Sequence, residues 1–148
     1  VLPAWLFARM ALNAMDGMAA REHGLQSPLG AVLNELGDVL SDLALYLPLG
    51  RLGPGLAGPV AAFCLAALLT EFAGVLGQAL GARRQFAGPM GKSDRAFGVG
   101  ALALVTALQP RLLGAWPVLL ALAAALALLT VAHRLRAALA EVRRGMRP

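Results

Sequence analysis

The sequence predicts an all-α fold, an integral membrane helical bundle of about five transmembrane helices. Hydrophobic residues make up 59% of the 148-residue chain and charged residues only 14%, against roughly 45–50% and about 25% in ordinary soluble domains. Long apolar runs alternate with short connections rich in Gly and Pro, and basic residues gather at the ends of those runs. At this length we expect one transmembrane domain, residues 1–148.

Five apolar segments are predicted to be helical, and they cover residues 1–20, 29–49, 60–82, 96–108 and 118–132. The connections between them and the end of the chain are a polar loop at 21–28, a Gly/Pro-rich turn at 50–59, a basic loop at 82–97, a turn at 109–117 and a basic, helical tail at 133–148. The chain begins at Val1 rather than Met and enters its first apolar segment at once, so we expect a truncated start. Five spans begin and end on opposite sides of the membrane, and one more span, six in a complete chain, would place both termini on the same side.

The distribution of positive charge predicts an orientation. Alternate connections carry ten Lys and Arg residues on one side and two on the other, Arg51 and Arg111. The side with ten is expected to be cytoplasmic. The net charge of +5 does not indicate nucleic-acid binding, because aromatic residues are not interleaved with the basic ones.

An acidic stretch, residues 13–42, lies between two apolar segments and contains five of the eight acidic residues of the chain. Charged groups in a membrane segment cost about 2.5–3.5 kcal/mol each at the centre of a span, so a group of them predicts a functional site. Steps of three and four place Asn13 and Asp16 on one side of the first helix, and steps of four place Asn34, Asp38 and Asp42 on one side of the second. Antiparallel pairing of the two helices brings these sides together.

The polar side chains that would meet there are Asn13, Asp16, Asn34 and Asp38. All four supply oxygen ligands, which suit Mg²⁺ or Mn²⁺ and do not suit softer metals. They predict a divalent metal site.

Two glycines lie beside this set, Gly17 and Gly30, and leave room for a bulky ligand near the backbone. Arg21 lies one turn beyond Gly17 and can present its planar guanidinium to a phosphate. Metal ligands, glycines and arginine together predict a pyrophosphate substrate.

The stretch resembles the signature of the CDP-alcohol phosphatidyltransferase family, Asp-x-x-Asp-Gly-x-x-Ala-Arg, eight residues, then Gly-x-x-x-Asp-x-x-x-Asp. Six positions match at the family's spacing, Asp16, Gly17, Ala20, Arg21, Gly30 and Asp38. Asn13 and Asn34 replace the first and third aspartates. The apolar segments agree with the family's six-helix membrane fold, so the resemblance covers essentially the whole chain.

The resemblance implies a reaction in which an acceptor alcohol attacks the β-phosphorus of CDP-diacylglycerol and CMP leaves. It implies Asp38 as the base, metal held by the signature positions, and contacts from Gly17, Ala20, Arg21 and Gly30 to the cytidine nucleotide. It further implies phospholipid synthesis by a homodimer. We expect the inner, cytoplasmic membrane of a bacterium, with the active site facing the cytoplasm.

Two alternatives stay open at this point. The donor can be CDP-choline or CDP-ethanolamine acting on diacylglycerol, or the protein can be non-catalytic, with a metal site weakened by Asn13 and Asn34. Glu35 and Asp42 lie within a turn of the signature and are candidates to supply the lost charge, and Asp42 is a further candidate metal ligand.

The basic loop offers four candidate contacts to an anionic acceptor such as a sugar or polyol phosphate: Arg83, Arg84, Lys92 and Arg95. Anchoring to anionic lipid headgroups explains the same residues without a ligand. Glu71, inside the third apolar run, is expected either to be neutralised by protonation or a partner such as Arg9, or to contact the polar site. The spacing of Gly74, Gly77 and Gly81 predicts close packing against another helix or a second subunit.

Overall fold

The structure, a computed structural model, describes residues 27–145 together with Ala4, Trp5 and Ala8. Within these residues the chain is helical and has no strand, which confirms the all-α fold class. The α-helices are α1 (Pro28–Tyr46), α2 (Ala57–Ala79), α3 (Lys92–Leu108) and α4 (Trp116–Gly145), and short 3₁₀ helices at Leu47–Arg51 and Pro110–Ala115 precede α2 and α4.

The first of these helices begins and ends at local signals in the sequence. The Ser27 hydroxyl caps α1 by accepting the Gly30 N–H at 3.0 Å. The predicted helix at 29–49 is too long, since α1 ends at Tyr46 and continues as a 3₁₀ helix that contains Pro48. Proline has no N–H to donate to the preceding turn, so the regular α-helical ladder stops there.

Two later helices also extend beyond their predicted bounds. Helix α3 begins at Lys92, four residues before the predicted start at 96, because the Asp94 carboxylate accepts the Gly91 N–H at 2.9 Å and caps the first turn. The apolar segment 118–132 and the basic tail form one continuous helix of 30 residues, α4. The tail is therefore helical, as predicted, up to Gly145.

Small residues line the contact between α2 and α4, and many large apolar residues lie on the outside of the bundle. Helix α2 packs most extensively on α4, and this interface buries Ala66, Ala67, Ala73, Ala127 and Ala138. The outer faces expose leucines and other large apolar side chains along α1, α2 and α4. This distribution is typical of helices that pack closely through small residues while larger apolar side chains face lipid.

Two described helical segments are long and apolar enough to cross a bilayer, Ala57–Ala79 and Pro110–Gly145. Helix α1 carries three acidic side chains, and α3 is 17 residues long, somewhat short of the roughly 20 residues of a usual span. The first predicted helix lies almost entirely outside the described residues, so the expected number of five transmembrane helices stays a prediction.

The apolar core surrounds one end of α1. Tyr46 is fully buried, with its ring centroid 5.3 Å from that of Phe63 on α2. Trp116, at the start of α4, donates its indole N–H to the Thr106 hydroxyl of α3 at 2.8 Å. The acidic residues of α1, which precede this end of the helix, contact charged residues from later parts of the chain.

Candidate functional site

The second half of the acidic stretch lies on one side of α1. Asn34, Asp38 and Asp42 follow one another at single turns of this helix, and the burial increases along it: Asn34 is exposed, whereas Asp38 and Asp42 are buried. Gly30, at the start of the helix, is exposed beside Ser27. The candidate residues Asn13, Asp16, Gly17, Ala20 and Arg21 lie outside the described residues, so their contact with this face stays a prediction.

Two cations at the start of α3 meet the two buried aspartates. The Lys92 ammonium lies 2.5 Å from Asp38 Oδ2, and Arg95 Nη2 lies 3.0 Å from Asp42 Oδ2. Lys92 and Arg95 are three residues apart, and Asp38 and Asp42 are four apart, so each pair lies on one face of its helix. Two successive cations of α3 therefore contact two successive aspartates of α1. These two ion pairs connect the basic loop to the acidic stretch.

Glu71 of α2 is the centre of the buried charges. Its carboxylate accepts a hydrogen bond from Arg95 Nη2 at 2.8 Å and lies 3.4 Å from Arg84 Nη2 and 3.7 Å from Arg134 Nη1. Arg9, the partner named from the sequence, is outside the described residues; the three arginines come from elsewhere in the chain. Because Arg95 binds Asp42 as well as Glu71, Glu71 is joined to the polar side of α1.

Arg84 bridges the basic loop to α1 and α2. Its guanidinium pairs closely with Glu35 and lies 5.2 Å from the centre of the Phe86 ring. Burial lowers the pKa of the Arg84 guanidinium, and the neighbouring charge of Arg134 lowers that pKa further. Glu35, a candidate source of charge for the metal site, is the counter-ion of Arg84, and its contribution to a metal site stays a prediction.

Arg134 is a residue of the site that the sequence analysis did not select. It is 3% exposed, and it donates to the Thr70 carbonyl oxygen at 2.6 Å and to the Ala87 carbonyl oxygen at 3.4 Å. The sequence pattern places Arg134 in the basic tail at 133–148. Its spacing gives the signal that was missed: Ala127, Thr130, Arg134 and Ala138 form the buried side of α4, and Arg134 continues that side.

The glycines of α2 make room for this side of α4. A Cβ atom at Gly74 would lie 3.2 Å from the Gln85 carbonyl oxygen and 3.6 Å from Arg134 Nη1, and one at Gly77 would lie 3.1 Å from the Ala138 Cβ. The prediction that this face packs closely against another helix is confirmed for these two positions, with α4 of the same chain as the neighbour. Gly81 has a φ of +87° after the end of the helix and nothing near its Cβ position.

A polar cavity of about 420 Å³ opens between α1 and the basic segments. Asn34, Asp38 and Glu35 form its acidic wall, and Arg84, Lys92 and Arg134 form the opposite, basic wall. Glu71 and Asp94 also line it. The cavity therefore places the described part of the signature opposite three cations.

The four basic residues selected from the loop have different locations. Arg84 and Lys92 line the polar cavity. Arg95 is 1% exposed and is held by Asp42, Glu71 and the Thr70 hydroxyl, the last at 2.7 Å. Arg83 lies on the outside, where it pairs with Glu141 at 3.2 Å.

Two of the four predicted metal ligands, Asn34 and Asp38, are among the described residues. Asn34 and Asp38 share a wall of the polar cavity and offer oxygen atoms, the donor type that a hard divalent cation prefers. Within residues 27–145, no group of three or more His, Cys, Asp or Glu side chains is arranged to hold a metal ion. The other two predicted ligands, Asn13 and Asp16, lie outside the described residues, so the complete metal site stays a prediction. Asp42, the further candidate ligand, lines a separate small pocket with Glu71 and Tyr46.

Comparison with known proteins supports the resemblance found in the sequence. The family model described as CDP-alcohol phosphatidyltransferase matches residues 3–133. The chain is 47% identical over 139 residues to a protein of Escherichia coli (strain K12) named inner membrane protein YnbA, in an alignment that covers 94% of this chain and 69% of that protein. No solved structure matches the chain.

Proposed function

Because the chain belongs to the CDP-alcohol phosphatidyltransferase family, whose members transfer substituted phosphate groups, we propose that it moves a phosphatidyl group from CDP-diacylglycerol to an acceptor alcohol and releases CMP. The polar cavity is the observation that carries this proposal. It sets Asn34 and Asp38 of the signature opposite Arg84, Lys92 and Arg134. The cations of the basic wall suit the phosphate groups of such substrates. The Asp38 carboxylate of the acidic wall suits the proton of the acceptor hydroxyl.

Asp38 is the proposed base. Its carboxylate would accept the proton of the acceptor hydroxyl while the hydroxyl oxygen bonds to the β-phosphorus and the bond from that phosphorus to the CMP oxygen breaks. The location of Asp38 on the cavity wall supports this role. Catalysis of this kind depends on position and charge more than on a covalent intermediate.

Mg²⁺ or Mn²⁺ is the proposed cofactor. Asp38 and Asn34 would hold it together with Asp16 and Asn13, and it would neutralise the pyrophosphate of the donor. The family uses divalent metal ions generally, and the all-oxygen donors on the cavity wall agree with that use. Gly17, Ala20, Arg21 and Gly30 are the proposed contacts of the CDP group.

The basic wall supports an anionic acceptor such as a sugar or polyol phosphate. Lipid anchoring suits exposed cations at the membrane surface, and it accounts for Arg83, whose side chain is 92% exposed. It does not account for Arg84 and Arg134, which are 17% and 3% exposed and are turned into the bundle. We therefore propose that Arg84, Lys92 and Arg134 contact the acceptor phosphate.

An apolar groove beside the polar cavity supports a substrate with acyl chains. The groove has a volume of about 220 Å³ and lies between α3 and α4 over Phe63, with Gly98, Leu102 and Leu119 in its walls. Asp94 lines both the groove and the polar cavity. A lipid with a charged headgroup can therefore place its two parts in adjoining spaces.

The membrane orientation and the oligomeric state belong to the same proposal. The basic connections favour a cytoplasmic active site, and the relative's name as an inner membrane protein supports a bacterial inner membrane. The homodimer rests on the family resemblance, since α4 of the same chain already covers Gly74 and Gly77.

The proposal is tested with purified protein in liposomes, supplied with CDP-diacylglycerol, Mg²⁺ or Mn²⁺, and a panel of acceptors that includes polyol phosphates. We expect CMP release that depends on one acceptor and that EDTA abolishes. Parallel reactions with CDP-choline or CDP-ethanolamine and diacylglycerol test the other donor class. Absence of release with every donor, acceptor and metal, from protein shown to be folded, would contradict the proposed activity.

A further inference from the structure

Lys92 pairs with the carboxylate that the proposed metal ion would also use, that of Asp38. Its ammonium nitrogen lies 2.5 Å from Asp38 Oδ2, and the two side chains are 29% and 9% exposed. A divalent cation bound to either oxygen of this carboxylate would lie a few ångströms from the Lys92 ammonium, and two positive charges at that separation repel strongly in a partly buried site. This repulsion favours displacement of either the Lys92 ammonium or the divalent cation from Asp38.

Two asparagines in the signature make the charge of Asp38 more important to a bound cation. Asn13 and Asn34 replace two carboxylates, so each remaining aspartate supplies a larger share of the negative charge available to a cation. In the described part of the signature that charge comes from Asp38, which already faces a full positive charge from Lys92. An amide oxygen such as that of Asn34 can ligate a cation but contributes no net charge.

Lys92 is better placed to move than the other cations of the site. Arg95 is held by Asp42 and Glu71, and Arg134 by two backbone carbonyl oxygens. Arg84 is held by Glu35 and Glu71. Among the described residues Lys92 makes one ion pair, and its ammonium sits at the end of a flexible four-carbon stem beside the polar cavity.

The backbone beneath Lys92 is fixed, so the movement is confined to the side chain. The Met90 N–H donates to the Thr130 hydroxyl at 3.0 Å, and Gly91 is capped by Asp94. Gly88, at a φ of +134°, lies so close to Thr130 that a Cβ there would be 2.3 Å from its Cγ2 atom. The loop is thereby attached to α4 immediately before Lys92.

We propose that Lys92 and the divalent cation compete for Asp38, and that cation binding releases the Lys92 ammonium into the polar cavity, where it binds a substrate phosphate. This inference rests on the metal site of the proposed function. It assigns Lys92 two partners in turn, the Asp38 carboxylate before the cation binds and an anion afterwards. By linkage, cation and anionic substrate then strengthen each other's binding.

The test is a Mn²⁺ titration of purified, EDTA-treated protein, followed by the electron paramagnetic resonance signal of free Mn²⁺, without substrate. Removing the charge with Lys92→Met is expected to tighten Mn²⁺ binding by about tenfold, the effect of about 1.4 kcal/mol of lost competition. Lys92→Gln repeats the test with a polar side chain if the methionine variant folds poorly. Lys92→Arg, which keeps the charge, is expected to bind Mn²⁺ much as the wild type does.

Arg83→Met is the matched control. It removes one positive charge from the same loop, at a side chain that pairs with Glu141 away from the polar cavity, and Mn²⁺ affinity is expected to stay unchanged. Equal or weaker Mn²⁺ binding in both neutral Lys92 variants would overturn the proposal, as would the absence of Mn²⁺ binding in all variants. Because the titration contains no donor or acceptor, its outcome is separate from that of the CMP-release assay.

Discussion

Two ion pairs one helical turn apart join the same two helices, yet their surroundings differ. Lys92–Asp38 faces the polar cavity, and its lysine is 29% exposed. Arg95–Asp42 lies deeper, with an arginine whose side chain is fully buried and binds Glu71 and Thr70 as well. The outer pair can exchange partners with a ligand, whereas the inner pair holds α1, α2 and α3 together.

The two ion pairs differ in the surroundings that a structural role and a chemical role require. A buried charge needs several fixed partners to offset its loss of water, and Arg95 has them. A group that must meet a metal ion, a proton or a substrate needs an open side, and Asp38 has one on the cavity. Asp42, one turn away, lacks that access to the polar cavity although it carries the same functional group.

Substitution of the outer aspartate should have the largest effect on activity. Asp38→Asn removes the proposed base and a metal ligand with little change in size. CMP release should fall by about 10²–10⁴-fold, the range typical of a lost general base. The thermal unfolding temperature should stay close to that of the wild type, because the partner left behind, Lys92, is 29% exposed and can be solvated in the polar cavity. An unchanged rate of CMP release would remove Asp38 from the mechanism.

Substitution of the inner arginine should act on stability instead. Arg95→Met leaves Asp42 and Glu71 without their shared buried cation, which should cost about 3–5 kcal/mol of unfolding free energy. Thermal unfolding in detergent measures the loss. A variant as stable as the wild type would show that the inner pair does not hold the helices together.

A smaller effect is expected where the loop is attached to α4. Gly88→Ala forces a Cβ against Thr130 at a backbone conformation that favours glycine, and the strain should cost about 1–3 kcal/mol. Gly98→Ala is the matched control, since open space surrounds its Cβ position in α3 and alanine favours the helix. Equal stability of the two variants would argue against close attachment of the loop.

The smallest effect is expected at the surface. Arg83→Met breaks an exposed pair with Glu141, and exposed pairs contribute little. CMP release and the apparent affinity for the acceptor should match those of the wild type. A raised KM for the acceptor would return Arg83 to the set of acceptor contacts.

Local patterns predicted the order of the helices, their approximate bounds and the polar face of α1, because hydropathy and helical period act within one segment. They did not predict which cation meets which carboxylate. Arg84, Arg95 and Arg134 come from three segments and converge on Glu71, and such convergence depends on how the helices pack. The positive-inside rule accounts for basic residues at the end of a span whether they point outward or inward. It therefore gave no indication that Arg134 is buried.

CMP release per folded molecule, measured for Asp38→Asn and Asp42→Asn side by side with thermal unfolding of each, tests most directly whether the two ion pairs have different roles. We expect Asp38→Asn to stay folded and lose turnover, and Asp42→Asn to lose stability while the molecules that remain folded keep most of their turnover. Retained turnover in Asp38→Asn, or its loss in a stable Asp42→Asn, would contradict the division between the two ion pairs.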